Sequence, residues 1–213
     1  MESLNEFLKK IDFGQDTVFH TIDGKLHTSM WDKNGEYVVT GVFNSPFPVE
    51  KFTLPPATLA DAMSFATEIS MDKNLLKISS LEVNGTLNLH EVVGREGAPK
   101  IDYLDEDSFV IKADMITKIQ RAQGMYASKL LSVKIDNGAS ILRVKGDTEE
   151  VGLDFKINTP IDKTMSVLLG DVVYEIFGKT TGFDLRVWVV DGKPVKFGLA
   201  SPAFSVFYYV MNQ

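Results

Sequence analysis

Apolar and polar positions along this chain follow two periods, and the places where the period changes mark its elements. Leu4, Phe7, Leu8 and Ile11 recur at i, i+3, i+4 and i+7, the spacing of one helix face, and Ser3-Leu4-Asn5-Glu6 reads as a capping box at the start. The period then falls to two. FHTIDGKLHTSMWDKNGEYVVTGVF reads as three short strands turning at Asp23-Gly24 and Asn34-Gly35, dipeptides that tolerate the positive φ of tight hairpins. A second helical stretch runs from Thr58 to Ile69, with Leu59, Ala62, Met63 and Ala66 behind the Pro55-Pro56 stop. The strand pair LLKISSLEVNGTLNLH, turning at Asn84-Gly85, closes the half.

The same order returns in the second half. A helix from Ala113 to Gln123 carries Met115, Ile116, Ile119 and Ala122 as its apolar stripe. LSVKIDNGASILRVKGDTEEVGLDFKI repeats the strand run, turning at Asn137-Gly138 and around Gly146-Asp147. The next helix spans Asp171 to Lys179, with Asp171 suited to the N-cap and Val172, Val173, Ile176 and Phe177 apolar. FDLRVWVVDGKPVKFGL turns at Asp191-Gly192, and FSVFYYV is the last strand. Ile22 and Ile135 occupy matching places 113 positions apart in a chain of 213 residues. Between the halves, VVGREGAPKIDYLDEDS is rich in Gly, Pro and charge and reads as a connector. The expected architecture is α+β: two similar domains of antiparallel sheets with short helices, 1–91 and 109–213, joined by a connector at 92–108. A single α+β domain with coincidental symmetry is the alternative.

Composition narrows the function. A chain 44% hydrophobic has enough apolar residues for one generous core or two modest ones. It has 22 Lys and Arg against 29 Asp and Glu, a net charge of −7, which argues against coating DNA with the whole surface. The balance is uneven, with 9 bases against 18 acids through residue 108 and 13 against 11 afterwards, so the second half leaves room for a local basic surface. There is no apolar run long enough to span a bilayer and no signal-like N-terminus, so the expectation is a soluble, unsecreted protein. The absence of Cys removes disulfides, thiolate metal sites and Cys nucleophiles.

Catalytic patterns fare poorly. His20 and His27 flank the Asp23-Gly24 turn, so a two-residue hairpin sets them opposite each other, but no third ligand is evident for a metal. His90 stands near the connector with no Ser or Cys arrangement around it. Gly178-Lys179-Thr180 is similar to the end of a phosphate-binding loop, yet Val173 holds the place of the first Gly and the segment closes a helix instead of opening one. Asp105-Glu106-Asp107 has the charge to bind a divalent cation but reads more simply as a solvated linker run. No nucleophile is paired with a base, so neither enzyme activity, cofactor nor metal is expected.

A duplicated helix-and-sheet unit without chemistry resembles a known family. FVIKADMITKIQRAQGMYASKLLSVKIDNGASILRVKG resembles the opening of the second domain of the sliding clamps of T-even tailed phages, relatives of the cellular proliferating-cell clamps. LRVWVVDGKPVKFGLASPAFSVFYYV resembles their closing strands. Leu199-Ala200-Ser201-Pro202 is similar to a Leu-Ala-Pro string near the C-terminus of cellular clamps, with Ser201 inserted. The resemblance is strongest after Phe109; before it, the likeness rests on element order and hairpins.

The resemblance implies a homotrimeric ring of six similar domains with the DNA clamp fold, helices lining a hole that passes duplex DNA and sheets outside. It implies a non-enzymatic processivity factor that tethers a replicative DNA polymerase, is loaded by a clamp loader and, if phage-encoded, works in the host bacterial cytoplasm. Weak, sequence-independent phosphate contact suits such a wall, because the ring must slide. On the helices, Lys9, Lys10 and Arg121 project away from the apolar stripes, Lys118 lies at the flank of its stripe, Lys112 precedes the third helix, and Lys179 ends the fourth; these are the candidate DNA-facing cations. The second helix, with Asp61 and Glu68 and no base, gives a neutral or repulsive wall. Clamp partners insert a short apolar peptide beside the connector and the closing strands, which nominates Tyr103, Leu104, Leu199, Pro202 and Val206. Two other classes stay open: a small-molecule-binding β protein and a virion or tail assembly protein built by strand-edge pairing.

Overall fold

The computed structural model describes residues 2–45, 47–48, 50–66, 68–72, 75–82, 84–89, 96–136, 138–146 and 151–213. The chain divides into two compact units: Met1–Ala98 with Ala200–Phe207, and Pro99–Leu199 with Tyr208–Gln213. The first opens with α1 (Glu2–Ile11), continues with β1 (Thr17–Ile22), β2 (Lys25–Trp31), β3 (Tyr37–Phe43) and β4 (Lys51–Leu54), then α2 (Pro56–Phe65), and closes with β5 (Glu68–Asp72), β6 (Leu75–Ser79) and β7 (Asn84–Asn88). The second has β8 (Ser108–Ile111), α3 (Ala113–Tyr126), β9 (Leu131–Asp136), β10 (Ala139–Lys145), β11 (Gly152–Asn158), β12 (Thr164–Leu169), α4 (Val172–Lys179), β13 (Leu185–Trp188) and β14 (Val195–Ala200). The last strand, β15 (Phe204–Val210), gives Phe204–Phe207 to the first unit and its remaining residues to the second.

Strand order shows the duplication directly. The first unit has the sheet β4-β1-β2-β3, with β15 beside β3, and a separate sheet β5-β6-β7. The second has the sheet β11-β10-β9-β12 and the run β14-β13-β8. Counted after the preceding helix, the four strands lie as fourth, first, second, third in both units, and neighbours within both sheets run antiparallel. The expected α+β class with antiparallel sheets and short helices is what the chain adopts.

Several local details depart from the sequence reading. Helix α2 begins at Pro56, where a missing N–H costs nothing and Pro55 is held extended, and it stops at Phe65. Glu68 and Ile69 therefore belong to β5, where they face Ser79 and Ile78 of β6. Asn84-Gly85 is not a turn: it lies in β7, in register with Ser79 and Ile78, and the chain reverses before it. A Cβ on Gly85 would stand 3.2 Å from Ile78 Cγ1, so close strand packing accounts for the glycine. Ser3 lies inside α1, which starts at Glu2, and Asp171 stands at the N-cap of α4 as the sequence suggests, but with αR backbone angles and no side-chain capping bond. Helix α3 extends past Gln123 to Tyr126 and ends on Ala127 in the left-handed region, whose N–H donates to Gln123 O. The sequence pattern does not mark the strands β4, β5 and β12. His90, residues 92–95 of the connector, Asn137 and Asp147 lie outside the described residues.

Three turns form where the sequence places them, one of them at Asp191-Gly192, where Gly192 has φ 68° and the Lys193 N–H donates to Val190 O. Asp23 and Gly24 both have positive φ, closing the β1–β2 hairpin between Ile22 and Lys25. Gly35 has φ 75° and donates to Asp32 O.

Each helix is held by burying one face. In the first unit Leu4, Phe7, Leu8 and Ile11 of α1 are buried, each worth roughly 1.5–3 kcal/mol against exposure. The Phe7 ring lies 5.7 Å from Phe43 and 5.7 Å from Phe204, while Phe19 of β1 stacks on Phe52 of β4 at 4.8 Å. In the second unit Ile116, Ile119 and Ala122 of α3 are buried, and Phe177 of α4 meets Phe197 of β14 edge-on.

Gly41 of β3 is the tightest point of the first core, since a Cβ there would stand 2.7 Å from Phe7 Cε2 and 3.0 Å from Thr28 Oγ1. The Phe7 ring is fully buried and has nowhere to retreat. Gly41→Ala is predicted to lower unfolding free energy by about 1–3 kcal/mol, seen as a fall in the urea midpoint at unchanged slope. An unaltered midpoint would show that α1 does not press on β3 there.

Candidate nucleic-acid and partner interface

With one face of each helix buried, the opposite face is set by sequence period alone. On α1, Ser3, Glu6 and Lys9 are exposed at i, i+3 and i+6. Lys10 is half-buried beside them; burial is the main cause that lowers its pKa, with Glu6 opposing and Lys9 adding to it. On α3, Asp114, Lys118, Arg121 and Met125 form the exposed strip. Helix α2 exposes Ala57, Thr58, Asp61, Ser64 and Phe65, an uncharged surface apart from Asp61.

The candidate cations are not equivalent. Lys112 Nζ lies 2.7 Å from Asp184, Lys118 Nζ 3.2 Å from Asp114, and Lys179 Nζ 3.5 Å from Glu175. The exposed pairs of Lys112 and Lys118 are worth little in stability, and Lys179 is half-buried, but in each case the partner carboxylate offsets the positive field the lysine offers to a phosphate. Among the described residues Lys9 and Arg121 carry no ion pair. The α3 face therefore keeps a weak positive excess, concentrated at Arg121.

Sequence reasoning missed what fixes α3. Its N-cap residue, Lys112, makes no side-chain cap; instead Asp184, in the loop before β13, accepts from the Ala113 N–H at 3.0 Å and from Lys112 Nζ at 2.7 Å. One carboxylate thus caps the helix N-terminus and holds a candidate cation. The Lys112 bond, then the Ala113 N–H, lower its pKa. No local pattern reveals a cap supplied from so far along the chain.

The partner candidates separate. Tyr103 is half-buried, its hydroxyl donating to Pro194 O at 2.8 Å and its ring 6.1 Å from Tyr209; burial, then Tyr209, push its pKa up to about 12. Leu104 beside it is 56% exposed. Leu199 is buried with the parity of Phe197, on the face of β14 opposite Lys196. Pro202 is exposed, and its carbonyl accepts from Asn44 Nδ2 at 3.1 Å. Val206 is fully buried on the β15 face that carries Phe204. The structure joins Tyr103 and Leu104 in one surface and puts the side chains of Leu199 and Val206 in the cores. Lys196, which no motif singled out, sets its ammonium among the rings of Tyr103 and the buried Trp188 and Tyr209.

His20 and His27 face each other in register, and burial, then His20 and Lys25, lower the pKa of His27. Among the described residues no three ligand-type side chains converge, and no helix is long and apolar enough to cross a membrane.

No protein-family model matches this sequence, and no curated protein matches it. Solved structures do. A. fulgidus PCNA, in a structure with the C-terminal region of FEN-1 bound to it, superposes with a TM-score of 0.80 over 100% of this chain and 95% of that one, at 14% identity. The fold is that of the PCNA sliding clamps. The Sulfolobus tokodaii PCNA2-PCNA3 complex gives a TM-score of 0.76 over 100% of this chain and 96% of the other at 11% identity. Entamoeba histolytica proliferating cellular nuclear antigen gives 0.72 over 99% and 93%, also at 11% identity. At such identities the likeness to PCNA is one of fold, carried by the duplicated strand order described above.

Removing the distal cap tests the α3 assignment. Asp184→Ala is predicted to cost about 1 kcal/mol, the usual worth of a cap. Because the folded pKa of Asp184 lies below its ordinary 3.8, the stabilisation is complete above that value and disappears as pH falls through the lower one. Chemical denaturation of both proteins at neutral and strongly acidic pH measures it; a difference that persists in acid would contradict the carboxylate's role.

Proposed function

We propose that this chain is a sliding clamp: a non-enzymatic, homotrimeric ring that encircles duplex DNA, is placed there by a clamp loader and tethers a replicative polymerase. The observation that carries the reading is the duplicated PCNA fold, whose short helices bury one face and leave the other to solvent with Lys9 and Arg121 on it. A wall of that kind holds DNA through weak phosphate contact without reading bases, which permits sliding. The proposed domains are 1–91 and 109–213 with the connector at 92–108. Within the reading, the strings after Phe109 favour the T-even phage type and hence work in a host bacterial cytoplasm.

Strand edges support closure by copies of the same chain. In the first unit β15 covers β3; by the repeat, β11 corresponds to β3 and β7 to β15, and both end their sheets. Val151 and Leu153 next to and on β11, and Leu81 before β7, are exposed apolar side chains at those edges. Pairing β7 of one copy with β11 of the next is a heterologous contact, which generates a ring if the rotation closes. The same edges would serve an open assembly, the competing reading, so solution mass separates the two: about three chains for a clamp, an unbounded series for a filament.

The peptide-docking role of Tyr103, Leu104, Leu199, Pro202 and Val206 is proposed on the same footing. It rests best on Tyr103 and Leu104, which lie at the surface.

Lys118→Glu with Arg121→Glu tests the wall. The double variant is predicted to keep its assembled mass while polymerase stimulation on primed DNA falls at least about tenfold and the salt slope of DNA association flattens. Full stimulation in a correctly assembled double variant would remove α3 from the DNA path.

A further inference from the structure

Outside the helices, the second unit holds a cluster whose chemistry the clamp reading does not use. Lys196 of β14 places its ammonium 4.4 Å from the ring centroid of Trp188, 5.2 Å from that of Tyr103 and 5.9 Å from that of Tyr209. Trp188 is its cross-strand partner on β13, Tyr209 comes from β15, and Tyr103 from the connector. Three aromatic faces around one ammonium make an aromatic cage, and here the cage is filled by the chain's own lysine. Trp188 and Tyr209 are nearly buried, so much of the interaction is shielded from water.

The connector is tied to the same sheet at neighbouring points. The Tyr103 hydroxyl donates to Pro194 O at 2.8 Å, Lys193 Nζ donates to Asp102 O at 3.4 Å, and Arg186 pairs with Asp105 at 3.0 Å while its guanidinium lies 5.6 Å from the Trp188 centroid. Leu104, between Tyr103 and Asp105, is left exposed by this arrangement. The flanking residues point at the sheet and one apolar side chain points at solvent.

We propose that Lys196 is a positioning residue for partner docking: its ammonium latches Tyr103 to the sheet and thereby presents Leu104 to an apolar partner peptide. The inference rests on the docking role proposed above for the connector. The latch is electrostatic at its centre, so a side chain of similar length without charge keeps the packing and loses the attraction, whereas arginine keeps both charge and ring stacking.

The test uses the full chain in three forms, unaltered, Lys196→Met and Lys196→Arg, with hydrogen exchange read over residues 99–107 and binding read with a labelled peptide of the FEN-1 C-terminal region. Lys196→Met is expected to speed connector exchange about three- to tenfold without changing exchange in α3 or β9–β12, and to weaken peptide binding by a similar factor. Lys196→Arg is expected to restore both to within about twofold. Should Lys196→Met fold poorly, Tyr103→Leu opens the cage from the connector side and is expected to loosen the same segment. Equal connector exchange in the Met and unaltered forms, or an Arg form as loose as the Met form, overturns the latch. Faster exchange with unchanged peptide affinity overturns its part in docking. An unaltered chain that holds its connector protected and binds no peptide sinks the docking reading and leaves the latch standing.

Discussion

Everything in this molecule depends on short helices that bury one face against an antiparallel sheet and, among the described residues, leave side chains of the other face exposed. Phe7, Leu8 and Ile11 are sealed into the first core, and Ile116 and Ile119 into the second. A helix of about three turns is marginal by itself, so these segments exist because their apolar stripes are docked. The exposed faces follow from the 3.6-residue period, and they carry the polar side chains of the helices. That constraint places Lys9 and Arg121 outside, and it makes the approach of Phe7 to Gly41 a point where the fold has no slack.

Much of this was legible in the sequence, and the reasons differ by element. The helices α1, α3 and α4 stand out because their stripes are strongly periodic, and the β1–β2 hairpin because Asp23-Gly24 accepts the positive φ it needs. The duplication was visible as a recurring order of periods and is seen again as an identical strand order. Asn84-Gly85 misled for a physical reason: a glycine can be required by a tight approach, here of Ile78, as well as by a turn. The end of α2 was misplaced because Glu68 and Ile69 continue its pattern while pairing with β6 decides their conformation.

The candidate site was legible only in part. Exposure of Lys9, Lys118 and Arg121 follows from period, and so do the i,i+4 pairs Lys118–Asp114 and Lys179–Glu175, but the neutralisation of Lys112 does not: Asp184 reaches Lys112 and Ala113 from a distant loop. Leu199 and Val206 were nominated by position near the chain end, yet strand parity turns both into the cores. The cage around Lys196 draws on β13, β14, β15 and the connector, so no window of sequence contains it.

The central claim is topological, and a topological measurement addresses it most directly. Because the chain has no Cys, Thr86→Cys on β7 and Lys156→Cys on β11 supply the only thiols for a bifunctional thiol crosslinker. The account predicts that crosslinking the double-Cys protein in the presence of nicked circular DNA leaves covalently closed rings that survive a high-salt wash and are released by one double-strand cut. Closed protein that washes off the circle in salt, or that stays on the DNA after the cut, would contradict it.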